Sequence, residues 1–396
     1  MWIAREIEHT IKKIASQRPV LIVTGCRQAG KTSLLKQLFA KANYISLDVP
    51  AVAQEAEESG EGFLAKYSAP LVVDEVQYAP KLLRYIKKEV DRNRERSGLY
   101  YLTGSQKFSL MQGVTESLAG RAAILELYSL SARELESFSG HRAEGNQLAQ
   151  WIFKGGYPEI YARDLDPQRF FSDYLVTYLE RDVRQALQVR NLRDFDRFMR
   201  LAAVRTGQLL SLNSFASDLG LSPNTIKSWL SVLEASNIIY LLEPYYRNLG
   251  KRIVKTPKLY FLDTGLACYL AGIRTTAELT QSALLGAIFE THVLGQMIRR
   301  DANRGRRSSI FFYRDHYGHE IDFVIPVGEK LKLIEAKWAE SYADTPKGFK
   351  EIAALTGQKN ILTQSVVTAL RGPRKLTGKN LWLDDTVELR SLETGA

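Results

Sequence analysis

The octapeptide Gly25-Cys26-Arg27-Gln28-Ala29-Gly30-Lys31-Thr32 restricts this chain more than any other feature. It stands between the apolar run Val20-Leu21-Ile22-Val23-Thr24 and residues 32–42, where Leu34, Leu35 and Leu38 recur at helical spacing. Strand, turn and helix in that order, with GxxxxGK[ST] at the turn, aim backbone N–H groups and the positive helix end at one point, where a phosphate chain fits. Gly25, Gln28, Ala29, Gly30, Lys31, Thr32 and Ser33 are the predicted contacts. Lys31 would reach the β and γ phosphates and Thr32 would place its hydroxyl on Mg²⁺. The glycines let the loop wrap without Cβ clashes.

Further short apolar runs at residues 43–47, 70–73 and 99–102 alternate with helical or polar stretches such as 82–95, which predicts an α/β fold with a mostly parallel sheet. The third run ends in Asp74-Glu75. Asp74 is placed to hold the Mg²⁺ shell and Glu75 to polarise an attacking water, a pairing suited to hydrolysis. The next run, Tyr100-Tyr101-Leu102, ends in Thr103-Gly104-Ser105-Gln106. Ser105 is the candidate that senses the γ phosphate or positions water, with Thr103 and Gln106 as competitors.

These residues together resemble the core of an AAA+-type P-loop ATPase over residues 20–135, in the prokaryotic group whose ATPase module precedes a C-terminal domain of largely unknown function. The likeness rests on the loop, on Asp74-Glu75 followed by Gln77, on Thr103-Gly104-Ser105, and on Leu118-Ala119-Gly120-Arg121 ahead of Leu130-Ser131. It implies ATP as the nucleotide and makes Arg121 a candidate finger, acting in cis or on a neighbouring subunit.

Two later arrangements extend the reading. Residues 212–219 are expected to form a helix, Gly220-Leu221 its turn, and Ser222-Pro223 the cap and first position of a second helix with Ile226, Trp229, Leu230 and Leu233 on one face. With residues 238–246 as a strand this resembles a winged helix-turn-helix, whose Asn224, Thr225, Lys227 and Ser228 face outward, either to meet DNA or to dock protein. Further on, helix, three strands, helix and strand carry Glu290, Asp322, Glu335 and Lys337. Alternation puts Glu335 and Lys337 on one sheet face, beside Asp322 on the neighbouring strand. The order, with Asp and then Glu-x-Lys thirteen residues later, resembles the restriction-endonuclease-like fold. That likeness implies a second metal site of Glu290, Asp322 and Glu335 with Lys337 as the activating cation, and equally admits an inactive scaffold.

The expected fold class is therefore α/β: a P-loop NTPase parallel sheet in residues 1–135, a helical lid or linker in 136–205, a winged-helix-like module in 206–250, and a restriction-endonuclease-like α/β domain in 251–396. A break between the sheet domain and the helices is expected at Gly155-Gly156-Tyr157-Pro158. Basic and acidic residues number 20 and 17 in residues 1–150, 11 and 11 in 151–246, and 23 and 16 in 247–396, so seven of the ten excess positive charges fall in the last part. A polyanion could meet that part. Only two cysteines, Cys26 and Cys268, stand far apart, which excludes a disulfide framework and a cysteine-built zinc site. No apolar run approaches the roughly 18 residues of a membrane span, and a signal-peptide core is lacking at the start. The expectation is a cytoplasmic, Mg²⁺-dependent ATPase without membrane contact. Its nucleotide cycle would move a DNA-binding, and in one reading nucleolytic, module, or it would act as a switch that docks protein partners. A homo-oligomer is compatible with the finger arginine. A small-molecule kinase fits the acid pair and the later domains less well.

Overall fold

The computed structural model of the chain describes residues 2–104, 117–178, 192–245, 254–339, 342, 344–369, 374–376 and 381–393. The first five strands in chain order are β1 (Val20–Thr24), β2 (Asn43–Ser46), β3 (Leu71–Asp74), β4 (Tyr100–Gly104) and β5 (Ala122–Glu126). They form one parallel sheet in the order β2-β3-β4-β1-β5. Period-two alternation along β1 divides its side chains between two cores. Val20 and Ile22 pack with residues of the helices Pro50–Glu58, Gly60–Lys66 and Leu82–Arg92. Leu21 and Val23 pack with the helices Glu8–Ala15 and Lys31–Leu38 on the other face. Helices on both faces explain why β1, β3 and β4 read as continuous apolar runs. The edge strand β5 is only partly buried although Ala122-Ala123-Ile124-Leu125 is apolar, and it is not among the expected strands.

The helices Ala132–Ser139, Gly145–Lys154, Pro158–Ala162 and Pro167–Tyr178 follow. Ser131 and Glu134 form a capping box at the start of the first, and Gly140 closes it in the left-handed conformation. The Gly155-Gly156 pair differs from the expected domain break. Both residues are buried, and a Cβ on Gly156 would lie 2.6 Å from the Leu130 carbonyl oxygen. Close backbone approach, not a change of direction between units, is what requires glycine there.

The middle part contains the helices Leu192–Val204, Leu212–Leu219 and Pro223–Ala235, with β6 (Gln208–Leu209), β7 (Ile239–Leu242) and β8 (Lys258–Phe261) in an antiparallel sheet ordered β6-β8-β7. Gly220 adopts the left-handed conformation, and Ser222 caps the Pro223–Ala235 helix by accepting from the Thr225 N–H at 3.1 Å. Ile226, Trp229, Leu230 and Leu233 are the buried stripe of that helix. Because β8 is the centre strand of this sheet, a boundary at residue 250 cuts through it.

The last part pairs the helix Leu285–Asn303 with a six-stranded sheet ordered β13-β14-β12-β11-β10-β9. Its strands are β9 (Phe311–Arg314), β10 (Glu320–Val327), β11 (Lys330–Ala336), β12 (Ile361–Val367), β13 (Arg374–Lys375) and β14 (Trp382–Asp384). One apolar cluster runs from the first sheet through the middle helices to this one. Where the parts meet, the Asp263 carboxylate accepts from Ser129 Oγ at 2.8 Å and the Gly156 N–H at 2.9 Å. Arg299 donates to the carbonyls of Ser129 and Leu262 at 3.0 and 2.7 Å.

Candidate functional site

The loop after β1 has the backbone that its sequence demands. Gly25 has φ +140°, and a Cβ there would lie 2.0 Å from the Leu127 carbonyl oxygen. Gly30 has φ +92° where it opens the helix Lys31–Leu38. Gln28 also lies in the left-handed region, at φ 58°. The helix amino end therefore faces the loop, which is the geometry of an anion site. Lys31 folds across the loop, donating from Nζ to the carbonyls of Gly25 at 3.0 Å and Cys26 at 2.8 Å. Burial pulls its ammonium below the usual lysine range, against the opposing pull of Cys26 and Glu75.

Strand β3, one strand beyond β1's neighbour β4, brings in the acid pair. Asp74, at the end of β3, accepts from Thr32 Oγ1 at 2.7 Å, from the Thr103 hydroxyl at the same Oδ1, and from the Tyr44 hydroxyl at 3.2 Å on Oδ2. Burial and Asp74 push the Tyr44 phenol up to about 12, so it donates at neutral pH. Glu75 follows with φ 55°, a left-handed backbone that costs a non-glycine residue about 1 kcal/mol. Its N–H donates to Thr103 Oγ1 at 3.1 Å, and its carboxylate accepts from Gln77 Nε2. Thr103 thus holds both acids. Ser105, the first choice from sequence for that strand end, lies outside the described residues, as does Gln106.

A cleft of about 630 Å³ opens over this arrangement. Gln28, Ala29, Gly30, Lys31, Thr32, Ser33 and Glu75 form one wall, and Pro158, Arg163 and Tyr174 contribute to the other. Arg5, which sequence reasoning missed, is buried beneath it. Its guanidinium donates to the Ala29 carbonyl at 2.8 Å, the Tyr128 carbonyl at 2.7 Å and Glu134 at 3.0 Å. No local pattern marks Arg5, because its partners lie 24 to 129 residues away. Tyr44 and the Pro158–Tyr178 wall were missed for the same reason.

The donor set fits magnesium. One hydroxyl and one carboxylate in contact, beside an anion site, are what Mg²⁺ takes when substrate phosphates and water complete its shell. Among the described residues no three His, Cys, Asp or Glu side chains converge on an ion, so here the phosphates would be needed.

Arg121 lies elsewhere. It immediately precedes β5, at the sheet edge where β1 begins, whereas the loop leaves from the edge where β1 ends. Five strand residues, about 16 Å, separate the two edges. Its guanidinium grips Asp91 at 2.8 and 3.0 Å. The expectation of a finger acting in cis is corrected by this placement. A finger reaching another copy's nucleotide is what the geometry leaves open.

The C-terminal candidates do come together. Ala336 N–H donates to Asp322 Oδ2 at 2.9 Å, Asp322 N–H lies 3.4 Å from Glu335 Oε2, and Lys337 Nζ is 2.8 Å from Glu335 Oε1. Glu290 turns toward Lys258, at 3.0 Å, and the Tyr260 hydroxyl. Burial first, then Glu290 and Glu335, raise the Asp322 carboxyl well above the usual range. Burial raises Glu335 as well, against Lys337. Burial opposes the charge of Lys337, but Glu335 and Asp322 outweigh it and hold the ammonium above its ordinary value. Lys258 and Tyr260, on β8, carried no signal in the sequence around residues 290–337.

Residues 17–136 match the family described as AAA domain, residues 145–277 a domain of unknown function (DUF8612), and residues 285–378 a domain of unknown function (DUF4143). The chain is 29% identical over 337 residues to the uncharacterized protein Rv2008c of Mycobacterium tuberculosis, covering 84% of this chain and 73% of that one. It is 24% identical over 300 residues to the uncharacterized protein MJ1637 of Methanocaldococcus jannaschii, covering 62% and 61%. Among solved structures it is similar to the Walker-type ATPase PABY2304 of Pyrococcus abyssi, at 15% identity and a TM-score of 0.45, over 68% of this chain and 96% of that one. The parallel sheet, its flanking helices and the AAA match make the amino-terminal part a P-loop NTPase α/β fold. No helix among the described residues is long and apolar enough to cross a membrane.

Proposed function

We propose that this chain binds ATP with Mg²⁺ in the cleft over residues 25–33 and hydrolyses it. The observation that carries the reading is Asp74, which holds the Thr32 hydroxyl at 2.7 Å with Glu75 next to it on the cleft wall. Lys31 exchanges its two loop carbonyls for the β and γ phosphates, and the loop N–H groups fix the phosphate chain. Thr32 and Asp74 would hold Mg²⁺, which would supply neutralisation of charge on the phosphate oxygens. Glu75 orients the attacking water and takes up its proton, while Thr103 keeps the Asp74 carboxylate and the Glu75 backbone in place and Gln77 holds the Glu75 carboxylate. In an assembly of several copies, Arg121 exchanges Asp91 for a neighbour's nucleotide.

The nucleotide cycle then moves the helical and C-terminal parts through the Asp263–Arg299 junction. The middle helices and their small sheet are taken as a winged-helix module, with exposed Asn224, Lys227 and Ser228 on the Pro223–Ala235 helix as the surface for DNA. A second reading, in which the C-terminal part is a nuclease-like scaffold that binds without cutting, is favoured by Lys258 in the acidic cluster. The two buried free thiols, Cys26 and Cys268, fit a reducing cytoplasm.

The test is ATP turnover by the purified chain with and without single-stranded and duplex DNA, with strand cleavage followed in the same reactions. The expected result is turnover that Lys31→Ala abolishes. Turnover retained in Lys31→Ala overturns the assignment. DNA stimulation without cleavage supports the DNA-binding scaffold, and no response to DNA supports protein partners.

A further inference from the structure

We propose that the Lys258 ammonium, by pairing with Glu290, takes that carboxylate out of the expected metal set of Glu290, Asp322 and Glu335, so that the C-terminal acidic cluster is completed by a cation of the chain itself and closed to metal. This does not depend on the reading of the nucleotide site, which lies on a different sheet.

Four observations meet here. The first is position: Lys258 sits on β8, outside the C-terminal sheet, yet its Nζ reaches Glu290 Oε1 at 3.0 Å and also pairs with Glu320. The second is burial. The Lys258 side chain is 3% exposed, and a lysine head kept from water that completely persists only where carboxylates surround it.

The third is the donor inventory, since the protein already supplies a donor to each carboxylate. Glu290 Oε1 receives Lys258 and the Tyr260 hydroxyl. Glu320 pairs with Lys258 through Oε1 and with Arg314 at 3.1 Å through Oε2. Glu335 pairs with Lys337, and Asp322 accepts from a backbone N–H. A magnesium ion needs about six oxygens near 2.0–2.1 Å in an octahedron, and among the described residues no three acidic, His or Cys side chains converge in that way.

The fourth is charge. Lys258, Arg314 and Lys337 match Glu290, Glu320 and Glu335 one for one, which leaves only Asp322. That carboxylate already accepts from the Ala336 N–H at 2.9 Å. Three of the four carboxylates are therefore balanced without a divalent ion, and the expected metal set of Glu290, Asp322 and Glu335 does not fit one as it stands.

The experiment is a Mn²⁺ titration of the full chain without nucleotide, read by electron paramagnetic resonance and thermal denaturation, on wild type, Glu335→Gln and Lys258→Met. In wild type, Mn²⁺ binding is expected to be the same as in Glu335→Gln. Lys258→Met should gain one saturable site that adding Glu335→Gln removes. At saturating Mn²⁺ its melting temperature should rise by roughly 5 °C, as expected for a ligand that binds only the folded state. If Lys258→Met does not fold, Lys258→Gln, which retains a hydrogen-bond donor toward Glu290, serves for the same measurement. A wild-type Mn²⁺ site that Glu335→Gln abolishes would overturn the proposal. So would a folded Lys258 variant that gains no site.

Discussion

Replacing Arg5 by methionine keeps much of the apolar stem and deletes the guanidinium that ties the phosphate loop to the first helices. In the wild type that group makes three hydrogen bonds, to Glu134, Ala29 O and Tyr128 O. Its removal leaves the Glu134 carboxylate, 2% exposed, with the Ser131 and Glu6 N–H groups at 2.8 Å. Breaking a buried ion pair from one side costs about 3–5 kcal/mol, and the two stranded carbonyls overlap with that figure more than they add to it, so the expected loss is about 4 kcal/mol. Arg5→Met/Glu134→Gln should recover about half of it, since the stranded charge is gone while the carbonyls still lack a donor. The Ala29 carbonyl belongs to the loop, and losing one charge-assisted anchor there should weaken nucleotide binding roughly tenfold, or about 1.4 kcal/mol. Urea midpoints measure the first quantity and titration with a fluorescent ADP analogue the second. A single variant within about 0.5 kcal/mol of wild type, with unchanged nucleotide affinity, would refute the claim that this guanidinium holds the loop.

Glu75→Gln should bind ATP as wild type does while turnover falls by about 10²-fold or more, measured as phosphate release against nucleotide affinity; equal turnover would remove Glu75 from its role as base. Thr103→Val preserves shape but deletes the donor to Asp74 and the acceptor for the Glu75 N–H, so the Mg²⁺ concentration for half-maximal turnover should rise roughly tenfold. An unchanged Mg²⁺ dependence would count against it. His319 is held above its ordinary 6.5 by its hydrogen bond to Asp315. That pairing contributes stability fully present below pH 6.5 and lost as pH rises through the raised value. In an NMR titration Asp315→Asn should return His319 to about 6.5.

The sequence by itself determined what local spacing can encode. Loop, strand and helix at residues 20–38, the Asp74-Glu75 strand end, the Ser222-Pro223 cap and the Leu212–Leu219 turn into the Pro223–Ala235 helix all appear where the string and its periodicity place them. Each depends on contacts within a few residues or on a backbone conformation that only certain residues adopt. What only tertiary structure decided involves partners far apart in the chain. Arg5 beneath the loop, Thr103 on Asp74, Arg121 turned to Asp91, and Gly156 pressed against Leu130 are choices of packing, invisible in a window of ten residues. The acidic cluster illustrates the division. Alternation along β10 and β11 predicts Asp322, Glu335 and Lys337 on one face, but the cation that pairs with Glu290 and Glu320 comes from β8, some 32 residues before Glu290. Burial decides that choice: carboxylates taken out of water require a counter-charge, and the fold supplies the one its packing brings within reach.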